Sequence, residues 1–238
     1  MIHKLVEMEF YKLKGNKTLM ITVIGALILP ILFSIAQATL NIFDFGMAFD
    51  LMNGFNLNMF SIIFAAVIIN YLFTIDTETH TLKSIVTLPV NMRTYLISKL
   101  LTLFIWMMGL ALITVIAGTI LFPLVGMKGF ALSILLKYSG QFLFGNVLLF
   151  LVMMPLVFVI VATKNTSAGL VIATLLFFIN VSVDIVPKLA YVPWTIPSKM
   201  SAHALTIPSK TAWIIIISTA AIGYILTRYT LNKRDVDL

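Results

Sequence analysis

The chain has 238 residues, of which 61% are hydrophobic and only 11% are charged, and its formal net charge is +7. A soluble domain is nearer half apolar and a quarter charged, so this composition excludes an ordinary soluble protein and indicates one that is shielded by lipid. Cysteine is absent, which excludes a disulfide framework and a cysteine metal site.

The first predicted element, residues 1–17, is an amphipathic helix that lies in the membrane interface. Lys4 and Glu7 fall on its polar face, and Gly15 and Asn16 are suited to the bend that leads into the membrane. The alternative is a short basic anchor with no further role. The apolar face comprises Ile2, Leu5, Val6, Phe10 and Leu13.

Long hydrophobic segments then predict an all-α integral membrane protein with one transmembrane domain, residues 1–238. Each segment has about 20 to 25 residues, enough to cross a hydrocarbon core of about 30 Å. Pro30 and Pro155 are expected to kink the first and fourth segments. The six predicted spans are residues 19–40, 55–75, 98–122, 139–163, 167–186 and 211–231.

The distribution of lysine and arginine predicts the orientation of these spans. Eleven of the 16 cations lie on the side that carries both termini, and five lie on the other side. Both termini are therefore expected to be cytoplasmic. The first outer loop, residues 41–54, has two aspartates and no cation. Because the positive charge follows the membrane topology, we expect no nucleic-acid partner.

A polar segment, residues 76–97, separates the second span from the third on the predicted cytoplasmic side. Asp76 or Thr77 is suited to begin a short helix, and Pro89 ends it because the residue before proline is disfavoured in a helix. Asn91 is suited to cap the next helix. The short helix is too short and too polar to span, so it either covers its own bundle or docks on a partner.

The last predicted outer loop, residues 187–210, contains four prolines and an aromatic pair, Tyr191 and Trp194, at a position typical of the membrane interface. Two interpretations fit this composition. The loop forms short helices above the bundle, or it is a proline-stiffened connector.

No catalytic or metal-binding motif is present in the sequence, and the stretch "GNKT" at 15–18 lacks the upstream glycine of a phosphate-binding loop. Ionisable residues are nearly absent from the spans, which disfavours ion-coupled transport. Neutral polar residues there either join helices through hydrogen bonds or line a substrate path. They are Gln37, Asn70, Gln141, Asn146 and Asn180.

The stretches "LVEMEFYKLKGNK", "ETHTLKSIVTLPVNMRTYLISKLL" and "YTLNKRDVDL", in this order with six spans, resemble the permease subunits of type-2 ABC transporters. The resemblance implies that residues 76–97 hold a coupling helix that docks on a separate ATPase. It also implies two ATPase subunits, which bind ATP and magnesium, and a second identical or related permease. The permease itself is expected to need no cofactor. The residues implied in docking are Glu78, His80 (where glycine is common), Lys83, Pro89, Arg93 and Lys164.

The start "MEFYKLKGNKT" resembles the smaller members of that family, which protect bacteria from lantibiotics or bacitracin or export amphipathic peptides. This implies a bacterial plasma-membrane protein whose substrate is a hydrophobic or amphipathic peptide. Two alternatives remain open at this point. One is a carrier or channel that needs no ATP, and the other is a membrane sensor or scaffold for antimicrobial peptides.

Overall fold

A computed structural model describes residues 2–13, 17–78, 91–163, 166–183 and 185–236, and these residues contain helices and no strand. The all-α prediction is therefore confirmed. The α-helices are α1 (Ile2–Leu13), α2 (Lys17–Leu40), α3 (Phe45–Phe55), α4 (Ser61–Glu78), α5 (Met92–Leu124), α6 (Leu132–Val152), α7 (Met154–Thr163), α8 (Thr166–Ser182), α9 (Ile196–Ser201) and α10 (Ser209–Val236).

Within the described residues, five helical segments are long and apolar enough to cross a membrane. A sixth apolar helix, Ala168–Ser182, is shorter than these and lies within the predicted fifth span. The chain is thus a multi-pass membrane protein, whereas its six-span count and orientation stay predictions. The five longer segments are Leu19–Leu40, Phe45–Thr74, Met92–Leu124, Leu132–Thr163 and Ser209–Lys233.

The prediction of a loop at residues 41–54 is wrong for residues 45–54, because α3 begins at Phe45 and continues to Phe55. Asp44 caps this helix by accepting a hydrogen bond of 2.7 Å from the backbone N–H of Met47. The fully buried side chains recur at the spacing of one helical face, which packs into the bundle. These side chains are Phe45, Ala48, Phe49 and Met52.

The second span extends α3 through a π-helical turn, Asn56–Phe60, into α4, which ends at Glu78. No glycine or proline interrupts α4, so the backbone hydrogen bonding continues beyond Thr74. The prediction that a separate helix begins at Asp76 or Thr77 is therefore wrong. Residues 79–90, which include most of the predicted coupling helix, lie outside the described residues.

The predicted cap at the start of the third span is confirmed. The Asn91 side-chain oxygen accepts a hydrogen bond of 3.0 Å from the backbone N–H of Arg93, and α5 begins at Met92. The N-terminal amphipathic helix α1 packs against α5. Both ends of the undescribed segment 79–90 are thus attached to long helices.

The fourth span starts earlier than predicted, at Leu132, and is interrupted at Met153 between α6 and α7. The interruption lies two residues before Pro155, which has no backbone N–H to donate to the preceding turn. Helix α2, in contrast, continues without interruption through Pro30. Helix α7 packs against α4, α8 and α10 and contributes buried apolar side chains to the main core. A central helix of this kind positions the helices around it.

The proline-rich segment after α8 forms two short 3₁₀ helices, Pro187–Tyr191 and Pro193–Thr195, followed by α9. Thr195 donates its hydroxyl proton to the carbonyl of Leu189 at 3.0 Å. Ile196 is buried, and α9 packs against α6. This segment is therefore a set of short helices on the bundle, as the first of the two interpretations predicted.

Candidate functional site

A cavity of about 610 Å³ lies between the second span, α6, α8 and α9, and we call it the polar cavity. Its apolar wall includes large side chains, namely Leu51, Phe55, Leu57, Met59, Phe177 and Val181. Its polar wall comprises Asp50, Asn53, Asn58, Gln141, Asn180, Ser198, Lys199 and Ser201. The volume is within the range of small-molecule sites, and the mixed lining suits an amphipathic occupant.

The π-helical turn Asn56–Phe60 shapes one side of the polar cavity. A π-helical turn widens the helix by one residue and often occurs at functional sites. It places Leu57, Asn58 and Met59 in the cavity wall. The Ser198 hydroxyl donates to the Asn58 side-chain oxygen at 2.6 Å, so this hydrogen bond joins the second span to α9 across the cavity wall.

Gly145 on α6 allows the opposite wall to approach the turn closely. A Cβ atom at this position would lie 2.5 Å from a methyl carbon of Leu57 and 3.0 Å from the Ser201 hydroxyl oxygen. A larger residue would have to displace those two side chains. Gly145 therefore sets the distance between α6, the π-helical turn and α9.

Two buried amide groups of the polar cavity have an acceptor oxygen with no partner among the described residues. Asn180 donates its amide N–H to the carbonyl of Leu176 at 2.8 Å, and Asn53 donates to the carbonyl of Tyr138 at 2.9 Å. The Oδ1 atoms of both asparagines remain without a donor there. A buried acceptor without a donor costs about 1–3 kcal/mol. Both oxygens are inaccessible to water, so they lie behind the cavity surface and not on it.

Two of the predicted substrate-path residues, Gln141 and Asn180, line the polar cavity. The other three do not. Gln37 donates to the Asn41 side chain at 2.9 Å and accepts from the backbone N–H of Phe43 at 2.8 Å, which closes the end of α2. Asn146 donates to the carbonyl of Phe142 on its own helix at 3.0 Å.

Asn70 is buried where α4 meets α8. A Cβ atom on Gly169 would lie 2.8 Å from both amide atoms of Asn70, so the helices are in close contact there. Sequence reasoning did not select Asn53, Asn58, Ser198 or Ser201. The two asparagines lie in or just beyond the segment predicted as a loop, and the serines lie in the last predicted loop.

Two of the predicted docking residues lie at the helix ends on either side of the segment 79–90. Glu78 is the last residue of α4, and Arg93 is exposed in the first turn of α5. They flank the segment 79–90, which contains His80, Lys83 and Pro89. These three residues and Lys164 lie outside the described residues, so their predicted roles stay predictions.

Comparison with known proteins identifies the family. The family model for the ABC-2 family transporter protein matches residues 5–180, which is most of the chain. The chain belongs to the ABC-2 transporter family. The predicted resemblance is thereby confirmed, and the matched region of this ABC-2 protein contains most of α1, the segment 76–97 and most of the residues that line the polar cavity.

One relative of this ABC-2 chain is the bacitracin transport permease protein BCRB of Bacillus licheniformis. The two are 28% identical over 173 residues, which cover 71% of this chain and 83% of the relative. The chain is therefore an ABC transporter membrane subunit that is similar to a bacitracin transport permease.

Proposed function

We propose that this protein is the permease subunit of an ATP-driven exporter that moves hydrophobic or amphipathic peptides out of the cell or the membrane. The polar cavity carries the proposal. Its apolar wall suits hydrophobic side chains, and its polar wall, which includes Gln141 and Asn58, suits the N–H and C=O groups of a peptide. The similarity to a bacitracin transport permease supports a peptide substrate.

The proposed topology has six spans and both termini in the cytoplasm of a bacterium. Helix α8 is the fifth span. Its 17 residues are about 25 Å long, which is short for a membrane crossing, and the 3₁₀ helices that follow it lengthen the segment. With this topology the polar cavity lies at the outer end of the bundle. The plasma membrane is the proposed location, since export from a bacterium begins there.

The proposed energy source is ATP hydrolysis on a separate ABC ATPase subunit, which also binds the magnesium. Two ATPase copies would act on a pair of permeases, either identical or related. Glu78 and Arg93 flank the segment that is proposed to dock on the ATPase. The family assignment and the position of this segment between two long helices support the arrangement.

The test compares Asn180→Leu with Thr174→Leu in the complex reconstituted into proteoliposomes, with bacitracin as the probe. Thr174 lies on the same helix, is exposed, and donates to the carbonyl of Leu170 within α8. We expect Asn180→Leu to lower ATP-dependent bacitracin transport by about tenfold, because leucine removes a polar group from the cavity wall and one hydrogen-bonding group is worth about 1–3 kcal/mol. Thr174→Leu should leave transport unchanged.

Three results would contradict the proposal. If the native protein is purified without a nucleotide-binding subunit, the ATPase partner is wrong. Flux of the probe driven by an ion gradient without ATP would indicate a carrier or channel. Binding of the peptide without ATP-dependent clearance would indicate a sensor or scaffold.

A further inference from the structure

A buried ion pair joins the N-terminal helix to the bundle. The ammonium nitrogen of Lys99 on α5 lies 3.0 Å from a carboxylate oxygen of Glu9 on α1. Lys99 is 0% exposed and Glu9 is 5% exposed, so both side chains are removed from solvent. We call this contact the Glu9–Lys99 pair.

The same ammonium group also reaches the second span. Lys99 donates a hydrogen bond to the backbone carbonyl of Leu72 on α4. The rings of Tyr95 and Phe73 lie 5.0 Å and 5.7 Å from the ammonium nitrogen, within the range of cation–π interactions. One side chain therefore contacts α1, α4 and α5 at the same time.

One further contact orients Glu9 within α1, and another attaches α1 to the bundle. Lys12 lies 2.9 Å from the second carboxylate oxygen of Glu9, so that carboxylate is held between two ammonium groups. The hydroxyl of Tyr71 on α4 donates to the backbone carbonyl of Lys12 at 2.8 Å. Helix α1 is thus attached to α4 directly as well as through Lys99.

The position of the Glu9–Lys99 pair relates it to the proposed docking segment. Leu72 lies six residues before the end of α4, and Lys99 lies seven residues after the start of α5, so each is about 10 Å from the helix end beside segment 79–90. The pair therefore lies close to the end of α4 and the start of α5, the two helix ends that adjoin this segment. A buried ion pair is a poor source of stability compared with apolar packing, which favours a role in holding a specific arrangement.

We propose that Glu9 and Lys99 are positioning residues that make α1, the end of α4 and the start of α5 move as one unit with the docking segment. When an ATPase displaces residues 79–90, the Glu9–Lys99 pair transmits that displacement to α1 in the membrane interface. This inference rests on the proposed function, because it assumes an ATPase that acts on the segment.

The first experiment measures the mechanical role in the purified permease and needs no ATPase. The protein has no native cysteine, so spin labels can be placed at Met8 on α1 and Leu101 on α5, which are 53% and 40% exposed. We expect a narrow distance distribution in lipid nanodiscs. Lys99→Met should broaden it, whereas Lys4→Met, which removes an exposed charge from α1, should not.

A Lys99→Met protein that retains the narrow distribution would overturn the proposal. If this variant does not fold, Glu9→Gln provides the same test, because glutamine keeps the side-chain volume and removes the negative charge that holds the Lys99 ammonium group. An unchanged distribution in Glu9→Gln would also overturn the proposal.

The second experiment measures coupling in the assembled complex in nanodiscs. The measured quantity is the stimulation, which is the ATPase rate of the complex divided by the rate of the isolated ATPase subunit. We expect Glu9→Gln and Lys99→Met each to lower this stimulation by roughly tenfold, which is within the range of coupling between two sites. The ATPase should still co-purify. The double variant should lose less than the product of the two single losses, because both substitutions remove the Glu9–Lys99 contact while each also removes contacts of its own.

The outcomes separate this inference from the proposed function. A wild-type preparation that contains no ATPase refutes the proposed function. If the wild type stimulates an ATPase and Lys99→Met stimulates it equally, the Glu9–Lys99 pair has no role in coupling. Losses in the double variant that equal the product of the two single losses would also refute the pair as a functional unit.

Discussion

Substitution of Gly223 by alanine provides a sharp test of the packing between α10 and α7. A Cβ atom at this position would lie 2.4 Å from both the carbonyl carbon of Met154 and the nitrogen of Pro155. Both are backbone atoms of α7, so no side-chain rotation relieves the clash and the helices must separate. Small residues at membrane helix interfaces permit this kind of close approach.

The magnitude follows from two opposing effects. Replacing glycine by alanine within a helix stabilises it by about 0.8–1 kcal/mol, whereas overpacking costs about 1–3 kcal/mol. A Cβ atom at Gly109 on α5 would meet no described atom of another helix within 4 Å, so Gly109→Ala gains the first effect alone. The two variants should therefore differ by roughly 1–3 kcal/mol in the free energy of unfolding, with Gly223→Ala the less stable.

Thermal unfolding in detergent, followed by the fluorescence of the three tryptophans, measures this difference. At about 2–4 °C per kcal/mol for a chain of this size, we expect the melting temperature of Gly223→Ala to lie several degrees below that of Gly109→Ala. Equal melting temperatures would show that α7 and α10 do not approach at Gly223, and would refute the packing described for the core.

The remaining predictions concern the polar cavity and the two helix ends beside the segment 79–90. Gly145→Ala should lower the rate of peptide transport while changing the melting temperature little, because it displaces the Leu57 side chain in the cavity wall. Both quantities are measured in the same preparation. Asn91→Ala should destabilise the protein by about 1 kcal/mol through loss of the α5 cap, which thermal unfolding measures against Asn91→Ser, a residue that keeps a capping oxygen. Glu78→Ala combined with Arg93→Ala should lower ATPase stimulation without affecting membrane insertion, and unchanged stimulation would place the dock elsewhere.

Local patterns in the sequence predicted the features that depend on short segments. Hydropathy identified the regions of the spans because lipid requires long uncharged helices. The capping role of Asn91 and the interruption near Pro155 follow from the chemistry of single residues. These features need no knowledge of what lies beside them in the folded protein.

Helix α3 was missed although its pattern is present in the sequence. Asp44 and Asp50 suggest a water-facing loop, but Asp44 caps the helix, and Phe45 and Phe49 form one face of it with Met52. This error also hid the polar cavity, since Asn53 and Asn58 were assigned to the loop and to the edge of the span. Gln141 and Asn180 were identified because they lie within clear spans.

The burial of Glu9 could not be predicted from a single sequence. A charged residue on a short amphipathic helix is usually solvated, and its partner Lys99 is 90 residues away. Lys99 lies at the start of the predicted third span, where a lysine usually reaches the lipid headgroups. Only the folded arrangement shows that the two charges meet and that both are buried.

Helix α4 connects the two regions to which we assign function. Asn58, just before it, bonds to Ser198 at the polar cavity, and Leu72 accepts a hydrogen bond from Lys99 at the Glu9–Lys99 pair. These positions are 14 residues apart, which is about 21 Å along a helix. Because α4 contains no glycine or proline, it is expected to shift as a rigid rod, so a displacement at the Glu9–Lys99 pair reaches the π-helical turn. That turn forms part of the cavity wall, so movement of the docking segment would change the shape of the cavity without direct contact between the ATPase and the cargo.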